Sequence, residues 1–141
     1  MEALSRIDEA YCRRLLEEMV SIPSVVGEEK ELAEYVASEL EALGLKPELQ
    51  VVEEDRPNVI ALWDSGKPGR MLMLNGHLDT VPVCEGWSTD PFKPVVEGDR
   101  LYGLGALDMK GGLACLLTAL KAIVEAEPDI SGSIAYTAVV G

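Results

Sequence analysis

Histidine is almost missing from this sequence, since His77 is the single histidine in 141 residues. Basic residues are also scarce: 12 lysines and arginines stand against 25 aspartates and glutamates, which leaves a net charge of −13. Proteins that bind nucleic acid neutralise phosphates with patches of lysine and arginine, so this balance argues against a nucleic-acid partner. The surplus of carboxylates favours solubility and is compatible with cation binding.

Cysteines are few, and long apolar runs are missing. Cys12, Cys84 and Cys115 form no CxxC pair and no even-numbered framework, which favours a reducing compartment and thiols that behave as small hydrophobes. The longest apolar stretch, residues 113–124, is interrupted by Lys121 and is too short to span a bilayer. The first residues lack the basic-then-apolar pattern of a signal peptide. We therefore expect a cytoplasmic protein that does not interact with a membrane.

The length of 141 residues predicts a single domain, and the hydrophobic content of 48% is enough for a core. The helices and strands named next predict that this domain is α/β. Helical periodicity predicts three helices, over residues 7–20, over residues 28–43 and from about residue 109 to Pro128. Apolar runs predict four strands, over residues 49–52, 58–63, 71–74 and 134–140. A short hairpin is predicted over residues 95–102. Residues 71–74 are apolar at every position, as in a strand covered on both faces. The alternation predicts a layered sheet, largely parallel but mixed, with helices on both faces.

The segment that directly follows the strand over residues 71–74 has the sequence NGHLDTVP. In an α/β sheet, ligands bind beyond the carboxyl ends of strands, which is where His77 lies. In an extended chain, residues two apart point to the same side, so Asp79 can approach the imidazole of His77. Imidazole is a good zinc ligand, and its second nitrogen usually donates to a carboxylate. The alternative is an ordinary hydrogen-bonded histidine at a turn, with Asp79 as a cap.

A second motif, GLGALDMKGG over residues 103–112, places Asp108 on a tight loop before a helix. A carboxylate on such a loop can bridge two cations about 3.5–4 Å apart. Gly111 and Gly112 are unfavourable in a first helical turn, which indicates either close backbone approach or tight helix–sheet packing. We expect Lys110 to be a solvated charge. A dinucleotide loop is disfavoured, because Asp108 replaces the third glycine of G-x-G-x-x-G and would repel pyrophosphate.

Together these segments resemble a known family. Residues 76–82, Trp87, residues 91–92 and residues 101–112, with residues 21–24 and 27–29 near the start, are similar to the family of acetylornithine deacetylase, succinyl-diaminopimelate desuccinylase and carboxypeptidase G, which are dinuclear zinc hydrolases. The resemblance covers essentially the whole chain. Leu104 departs from the commonest pattern, which has arginine between the two glycines, and this departure blurs the substrate class.

The resemblance implies a role for each of three residues. His77 would bind one metal ion, Asp108 would bridge two, and Asp79 would orient His77 in a catalytic supporting role. The cofactors would be two zinc ions, with cobalt or manganese as alternatives. The peptide bond after Asp108 is often cis in such proteins. An acidic pair, holding the general base and a further ligand, directly follows the family strand that corresponds to residues 134–140.

These implications define what we expect of the chain. Residues 1–141 would be the N-terminal portion of a metallohydrolase catalytic domain similar to a zinc exopeptidase, with an inserted dimerisation domain and a C-terminal portion absent. The complete protein would be a homodimeric amidohydrolase or metallopeptidase acting on N-acyl amino acids or short peptides. The isolated chain would have an incomplete metal site and no hydrolytic activity. The alternative is a non-catalytic binding or regulatory domain on the same scaffold.

Overall fold

Two amphipathic helices form the first third of the chain. The structure is a computed structural model that describes residues 2–141. After a short 3-10 turn, α1 spans Glu9–Ser21, and the carboxylate of Asp8 caps it by accepting from the backbone N–H of Tyr11 at 3.0 Å. Helix α2 spans Lys30–Ala42 and is followed by Gly44 at φ +81°, as expected of a helix end. Both helices are confirmed within two residues of their predicted ends.

The strands and the last helix complete the architecture. The bounds are β1 Glu48–Glu53, β2 Arg56–Asp64, β3 Met71–His77, β4 Val95–Glu97, β5 Arg100–Tyr102, α3 Gly111–Ala126 and β6 Ser133–Val139. Every predicted strand is present, and β4 and β5 form the predicted hairpin. Within residues 2–141, none of the helices has the length and apolar character needed to span a membrane.

The four-stranded sheet has the order β1-β2-β6-β3. Strands β1 and β2 pair antiparallel, as do β2 and β6, while β3 and β6 pair parallel. The α/β layered fold is confirmed, but the sheet is mixed with mainly antiparallel pairing, so the expectation of a largely parallel sheet is wrong. The reason is local: only two residues separate β1 from β2, which forces a hairpin, whereas α3 forms the crossover that makes β6 parallel to β3.

The core lies on one face of this sheet. Its members come from the three helices and from alternate positions of β2 and β6: Leu15, Met19, Leu32, Val36, Leu40, Val59, Ala61, Leu113, Leu117, Leu120, Ile134, Tyr136 and Ala138. On the opposite face Leu62 and Met73 are 49% and 61% exposed. Helices therefore cover one face within residues 2–141, rather than the two that were expected.

Strand β3 is an edge of the sheet. Met71, Leu72 and Met73 are 58%, 56% and 61% exposed, because no element of residues 2–141 packs over the start of this strand. The prediction that the strand is covered on both faces is therefore wrong for its first half. Only its second half approaches α3, where Gly76 is buried.

A buried ion pair joins the start of α2 to the sheet. The Glu29 side chain is fully buried, and Arg56 donates to both of its oxygens at 2.8 and 3.0 Å. Arg56 also donates to Glu53 at 2.7 Å and to the Gly141 carbonyl at 2.6 Å. Burial acts to raise the pKa of Glu29, but the hydrogen bonds from Arg56 and from the backbone N–H of Gly27 outweigh it and hold the pKa below its usual value.

The two glycines at the start of α3 have different surroundings. A Cβ at Gly111 would lie 2.6 Å from the backbone oxygen of Ala106, whereas a Cβ at Gly112 would meet the terminal methyl group of Met109 at 2.9 Å. Gly111 thus permits close approach of the backbone of the preceding turn. Neither added Cβ would meet a strand, so tight packing of the helix on the sheet does not explain these glycines. Close approach of the backbone does explain Gly111.

The ion pair predicts unequal effects of its two partners on stability. Arg56→Leu should lower the free energy of unfolding by about 3 kcal/mol, because it leaves a fully buried carboxylate unpaired. Glu29→Gln should cost roughly 1–2 kcal/mol, since Arg56 keeps its contact with Glu53. Urea unfolding at neutral pH measures both values, and equal losses would contradict this account.

Acid titration supplies the control for the ion pair. A carboxyl group whose pKa is lowered by folding contributes stability above its unfolded pKa and loses that contribution as the pH falls through the folded value. Wild-type stability should therefore fall more steeply than that of Glu29→Gln as the pH drops below the ordinary glutamate range. Parallel pH profiles for the two proteins would show that Glu29 does not contribute.

A matched pair of glycine substitutions tests the turn before α3. Gly111→Ala should destabilise the protein by about 1–3 kcal/mol, because the Ala106 carbonyl cannot move without displacing the turn. Gly112→Ala should be neutral or stabilising by up to about 1 kcal/mol, because the Met109 methyl can move and alanine favours helix. Urea unfolding of both variants measures the difference, and equal tolerance of alanine would refute the close approach at Gly111.

Candidate metal centre

The end of β3 carries His77 to the edge where β3 and β6 both finish. Because the two strands are parallel, their carboxyl ends meet, and His77 pairs with Val139. The backbone N–H of Leu78 continues this pairing by donating to the Val139 carbonyl at 2.7 Å. His77 is therefore where the sequence predicts it, at the carboxyl edge on which open α/β sheets bind ligands.

A loop between α1 and α2 supports the chain just beyond His77. The hydroxyl group of Ser24 donates to the Leu78 carbonyl at 2.8 Å, and the backbone N–H of Thr80 donates to the Ser24 carbonyl at 2.7 Å. Ser24 is fully buried. The sequence analysis includes residues 21–24 in the family resemblance but predicts no buried support from Ser24, since serine in a loop is mostly solvated.

Both nitrogens of the His77 imidazole have oxygen partners. Nδ1 lies 3.0 Å from the carbonyl oxygen of Asp79 and 3.2 Å from its Oδ1. Nε2 lies 2.9 Å from Oδ1 of Asp108. Burial acts to lower the pKa of His77, but the hydrogen bond to Asp108 and the charge of Asp79 outweigh it, so the pKa is raised. The structure thus brings all three predicted residues together, with the ring between two carboxylates.

Acceptor oxygens face both ring nitrogens of His77: two from Asp79 at Nδ1 and one from Asp108 at Nε2. The hydrogen bonds on both sides therefore favour the doubly protonated ring, in agreement with the raised pKa. If a metal ion replaced the proton on Nε2, Asp79 would keep the remaining proton on Nδ1. This is the orientation in which a carboxylate behind one ring nitrogen prepares the other for a metal ion.

Asp108 lies on an irregular turn, Ala106–Lys110, between β5 and α3. Gly105 enters this turn at φ +76°, a region of backbone conformation that favours glycine. The backbone N–H of Leu104 donates to the Pro91 carbonyl at 2.7 Å and so fixes the turn to the preceding loop. The Asp108 side chain is 84% exposed, so the turn presents its carboxylate to the solvent side of His77.

Two further features of this turn bear on the sequence predictions. The Asp108–Met109 peptide bond is cis, as the family resemblance implies. The expectation that Lys110 is solvated is wrong: the residue is 1% exposed, and its ammonium donates to the Ile22 carbonyl at 2.7 Å. Burial lowers the pKa of Lys110 to about 8. Because a buried ammonium requires a hydrogen-bond partner, Lys110 anchors the Asp108 turn to the end of α1.

A cleft of about 490 Å³ opens in front of His77 and Asp108, and Asp79, Thr80 and Trp87 contribute to its walls. Thr80 is 2% exposed, and its hydroxyl oxygen has no hydrogen-bond partner among residues 2–141. Buried hydroxyl groups are ordinarily paired, so the wall of the cleft carries one unsatisfied polar atom. The cleft has the size of a small-molecule site.

The donors in this cleft fit a zinc ion in type but not in number. Imidazole nitrogen and carboxylate oxygen are regular zinc ligands, and the carboxylate behind Nδ1 is the usual orienting partner. Zinc sites have three or four protein ligands. Residues 2–141 contain no group of three or more histidine, cysteine, aspartate or glutamate side chains placed to hold a metal ion. The described residues therefore fit part of a metal site.

Known proteins share both the sequence and the fold of this chain. Residues 73–141, which include His77, Asp79 and Asp108, match the model of peptidase family M20/M25/M40. Succinyl-diaminopimelate desuccinylase of Polynucleobacter necessarius is 35% identical over 130 residues, covering 87% of this chain and 34% of that protein. The enzyme of the same name from Methylobacterium radiotolerans is 40% identical over 129 residues, with coverages of 87% and 32%.

Among solved structures, human carnosine dipeptidase 1 superposes with a TM-score of 0.82 at 25% identity, over 97% of this chain and 33% of that one. The chain spans about a third of the length of the curated relatives that it matches. The sequence matches and the shared fold agree with the resemblance inferred from the two motifs. Residues 73–141 thus match the model of peptidase family M20/M25/M40, and the chain as a whole is similar to part of the desuccinylases and of the dipeptidase named above.

Proposed function

We propose that residues 1–141 are the N-terminal portion of the catalytic domain of a zinc-dependent hydrolase that cleaves amide bonds. The observation that carries this proposal is the 2.9 Å approach of His77 Nε2 to Asp108 Oδ1, with Asp79 behind the ring. All three residues lie in the segment that matches the family model. The relatives are named as desuccinylases and a dipeptidase, and both activities hydrolyse amide bonds.

The three residues have distinct proposed roles. His77 would hold a metal ion through Nε2, and Asp108, whose carboxylate is exposed to the cleft, would be a ligand shared by two metal ions. Asp79 would hold the imidazole with its proton on Nδ1, so that Nε2 could bind the metal ion in place of a proton. Zinc suits these nitrogen and oxygen donors, with cobalt or manganese as alternatives. When bound, such an ion polarises a carbonyl group and lowers the pKa of a water molecule.

Other parts of the full-length protein would supply what this donor set lacks. Within residues 2–141, Gly141 lies against Asp79, since a Cβ at position 141 would be 2.6 Å from the Asp79 carboxyl carbon. Any residue that follows Gly141 therefore starts beside the candidate centre. We propose that the general base and a further ligand come from there, and that the C-terminal portion and an inserted dimerisation domain complete a homodimer.

The proposed substrates are N-acyl amino acids or short peptides, as in enzymes similar to acetylornithine deacetylase or succinyl-diaminopimelate desuccinylase. A cleft of about 490 Å³ can hold the acyl end of such a molecule. The net charge of −13 supports a small-molecule partner over a nucleic acid. Three free cysteines support a cytoplasmic location. The non-catalytic alternative gains no support from the desuccinylases and the dipeptidase named above.

Zinc titration of the full-length protein tests the proposed ligands. Asp108→Asn and His77→Ala should each weaken zinc binding at least about tenfold, because each removes a ligand. Asp79→Asn should weaken it about 10–100-fold by releasing the imidazole. Isothermal titration calorimetry measures these affinities.

The control for the zinc titration is Asp99→Asn, a carboxylate-to-amide change between β4 and β5 that should leave the affinity unchanged. Unchanged zinc affinity in both Asp108→Asn and His77→Ala would contradict the metal centre and favour the scaffold alternative. A uniform loss in all four variants would show a general charge effect and would also contradict the assignment of ligands.

An activity assay tests the division of roles between these residues and the rest of the protein. Residues 1–141 alone, supplied with zinc, should not hydrolyse an N-acetyl amino acid faster than zinc in buffer, because no general base is assigned among them. Amine release measured with a fluorogenic amine reagent detects the reaction, and His77→Ala is the matched control. Metal-dependent cleavage that disappears in His77→Ala would overturn this prediction.

A further inference from the structure

Two of the three cysteines are neighbours in space although they are far apart in sequence. Cys12 on α1 and Cys115 on α3 are separated by 103 positions, and their Sγ atoms lie 3.9 Å apart. A disulfide has an S–S distance of about 2.05 Å, so the two sulfurs must approach by roughly 2 Å. Rotation of two cysteine side chains on helices that already pack together can provide such a movement.

The thiol pair is open to small reagents. Both sulfur-bearing residues line a cleft of about 580 Å³ between α1, α3 and the β4–β5 hairpin, with Leu16 and Leu101 among its apolar walls. Cys115 is exposed and Cys12 is half-buried. A reagent in this cleft can therefore reach both thiols, and Cys115 is the more exposed of the two. This cleft has no lining residue in common with the cleft in front of His77.

The third cysteine has a different environment. Cys84 lies in the loop after β3, and its thiol donates to the Pro82 carbonyl at 3.6 Å. It is exposed, and its sulfur contacts this backbone oxygen rather than another thiol. Cys84 thus serves as an internal reference for an accessible single thiol.

We propose that Cys12 and Cys115 form an oxidisable dithiol, a modification site that hydrogen peroxide converts into a disulfide between α1 and α3. In the first step the Cys115 sulfur attacks one peroxide oxygen, the O–O bond breaks, and a sulfenic acid and one water form. In the second step the Cys12 sulfur attacks the sulfenic sulfur, the S–O bond breaks, and a second water leaves. One peroxide is reduced to two waters while two thiols are oxidised to one disulfide.

The surroundings of Cys12 and Cys115 determine how fast the pair is oxidised, and their separation in the chain determines how the disulfide changes stability. Burial first, and then the charge and hydrogen bond of Cys12, raise the pKa of the Cys115 thiol. The thiolate is the reacting form, so oxidation at neutral pH is slow compared with a dedicated peroxide sensor. The disulfide closes a large loop and restricts the unfolded chain, so the oxidised protein should resist urea better than the reduced protein.

Peptide mapping tests this site in the full-length protein. After treatment with hydrogen peroxide and blocking of free thiols with N-ethylmaleimide, mass spectrometry should find one peptide pair joined through Cys12 and Cys115. Dithiothreitol should remove the link, and the urea midpoint should fall when it does. The Cys84→Ser variant should form the same link, because Cys84 takes no part in it.

Two variants keep the test independent of folding defects. Cys12→Ser and Cys12→Ala should lose the link, leave Cys115 as a sulfenic acid that a dimedone probe captures, and show no change of urea midpoint on oxidation. The proposal is overturned if Cys12 and Cys115 are still fully alkylated after prolonged treatment with excess peroxide that has oxidised Cys84 completely. It is equally overturned if Cys115 reaches the sulfinic acid without forming the disulfide, or if the links formed join separate molecules through Cys84.

Discussion

The parallel register between β3 and β6 determines where the candidate metal centre forms. Side chains alternate between the faces of a strand, so a slip of one residue would turn His77 to the opposite face. Thr137 holds the register by donating to the Asn75 side chain at 2.6 Å. Gly76 contributes by its small size, since a Cβ there would lie 2.7 Å from Leu113. Helix α3 therefore packs closely on β3, and the turn before it brings Asp108 to His77.

Buried polar groups then fix the two loops that meet at this register. Ser24 binds the chain after His77, and Lys110 binds the Asp108 turn to the Ile22 carbonyl. Both side chains are almost fully buried, and a buried polar group is tolerated only where it is hydrogen-bonded. Each of these two hydrogen bonds therefore restricts the positions that its loop can occupy. Because Ile22 and Ser24 flank Pro23, a single short segment after α1 positions both sides of the centre.

Much of this arrangement could be predicted from the sequence, and the limits have physical reasons. Helices and strands follow local periodicity, and the spacing of His77 and Asp79 is also local, so the sequence predicts both the elements and this pair of residues. The direction in which two strands pair depends on the connection between them. Strands β1 and β2 are joined by a two-residue turn that contains Asp55 at φ +58°, which is typical of a hairpin, and the pattern of apolar residues does not reveal this turn. The contact between His77 and Asp108 spans 31 positions and came only from the family resemblance. Burial of Lys110 depends on one distant carbonyl and has no local signature.

Arg56 connects the stability of the fold to the geometry of the centre. One of its nitrogens donates both to the buried Glu29 carboxylate, at 2.8 Å, and to the Gly141 carbonyl, at 2.6 Å. Gly141 in turn lies against the carboxylate of Asp79, which faces Nδ1 of His77. Loss of this guanidinium would therefore leave a buried charge unpaired and also free Gly141, the residue two positions beyond β6 that contacts Asp79. A single ion pair thus maintains the junction of α2 with the sheet and the position from which any following residue approaches the centre.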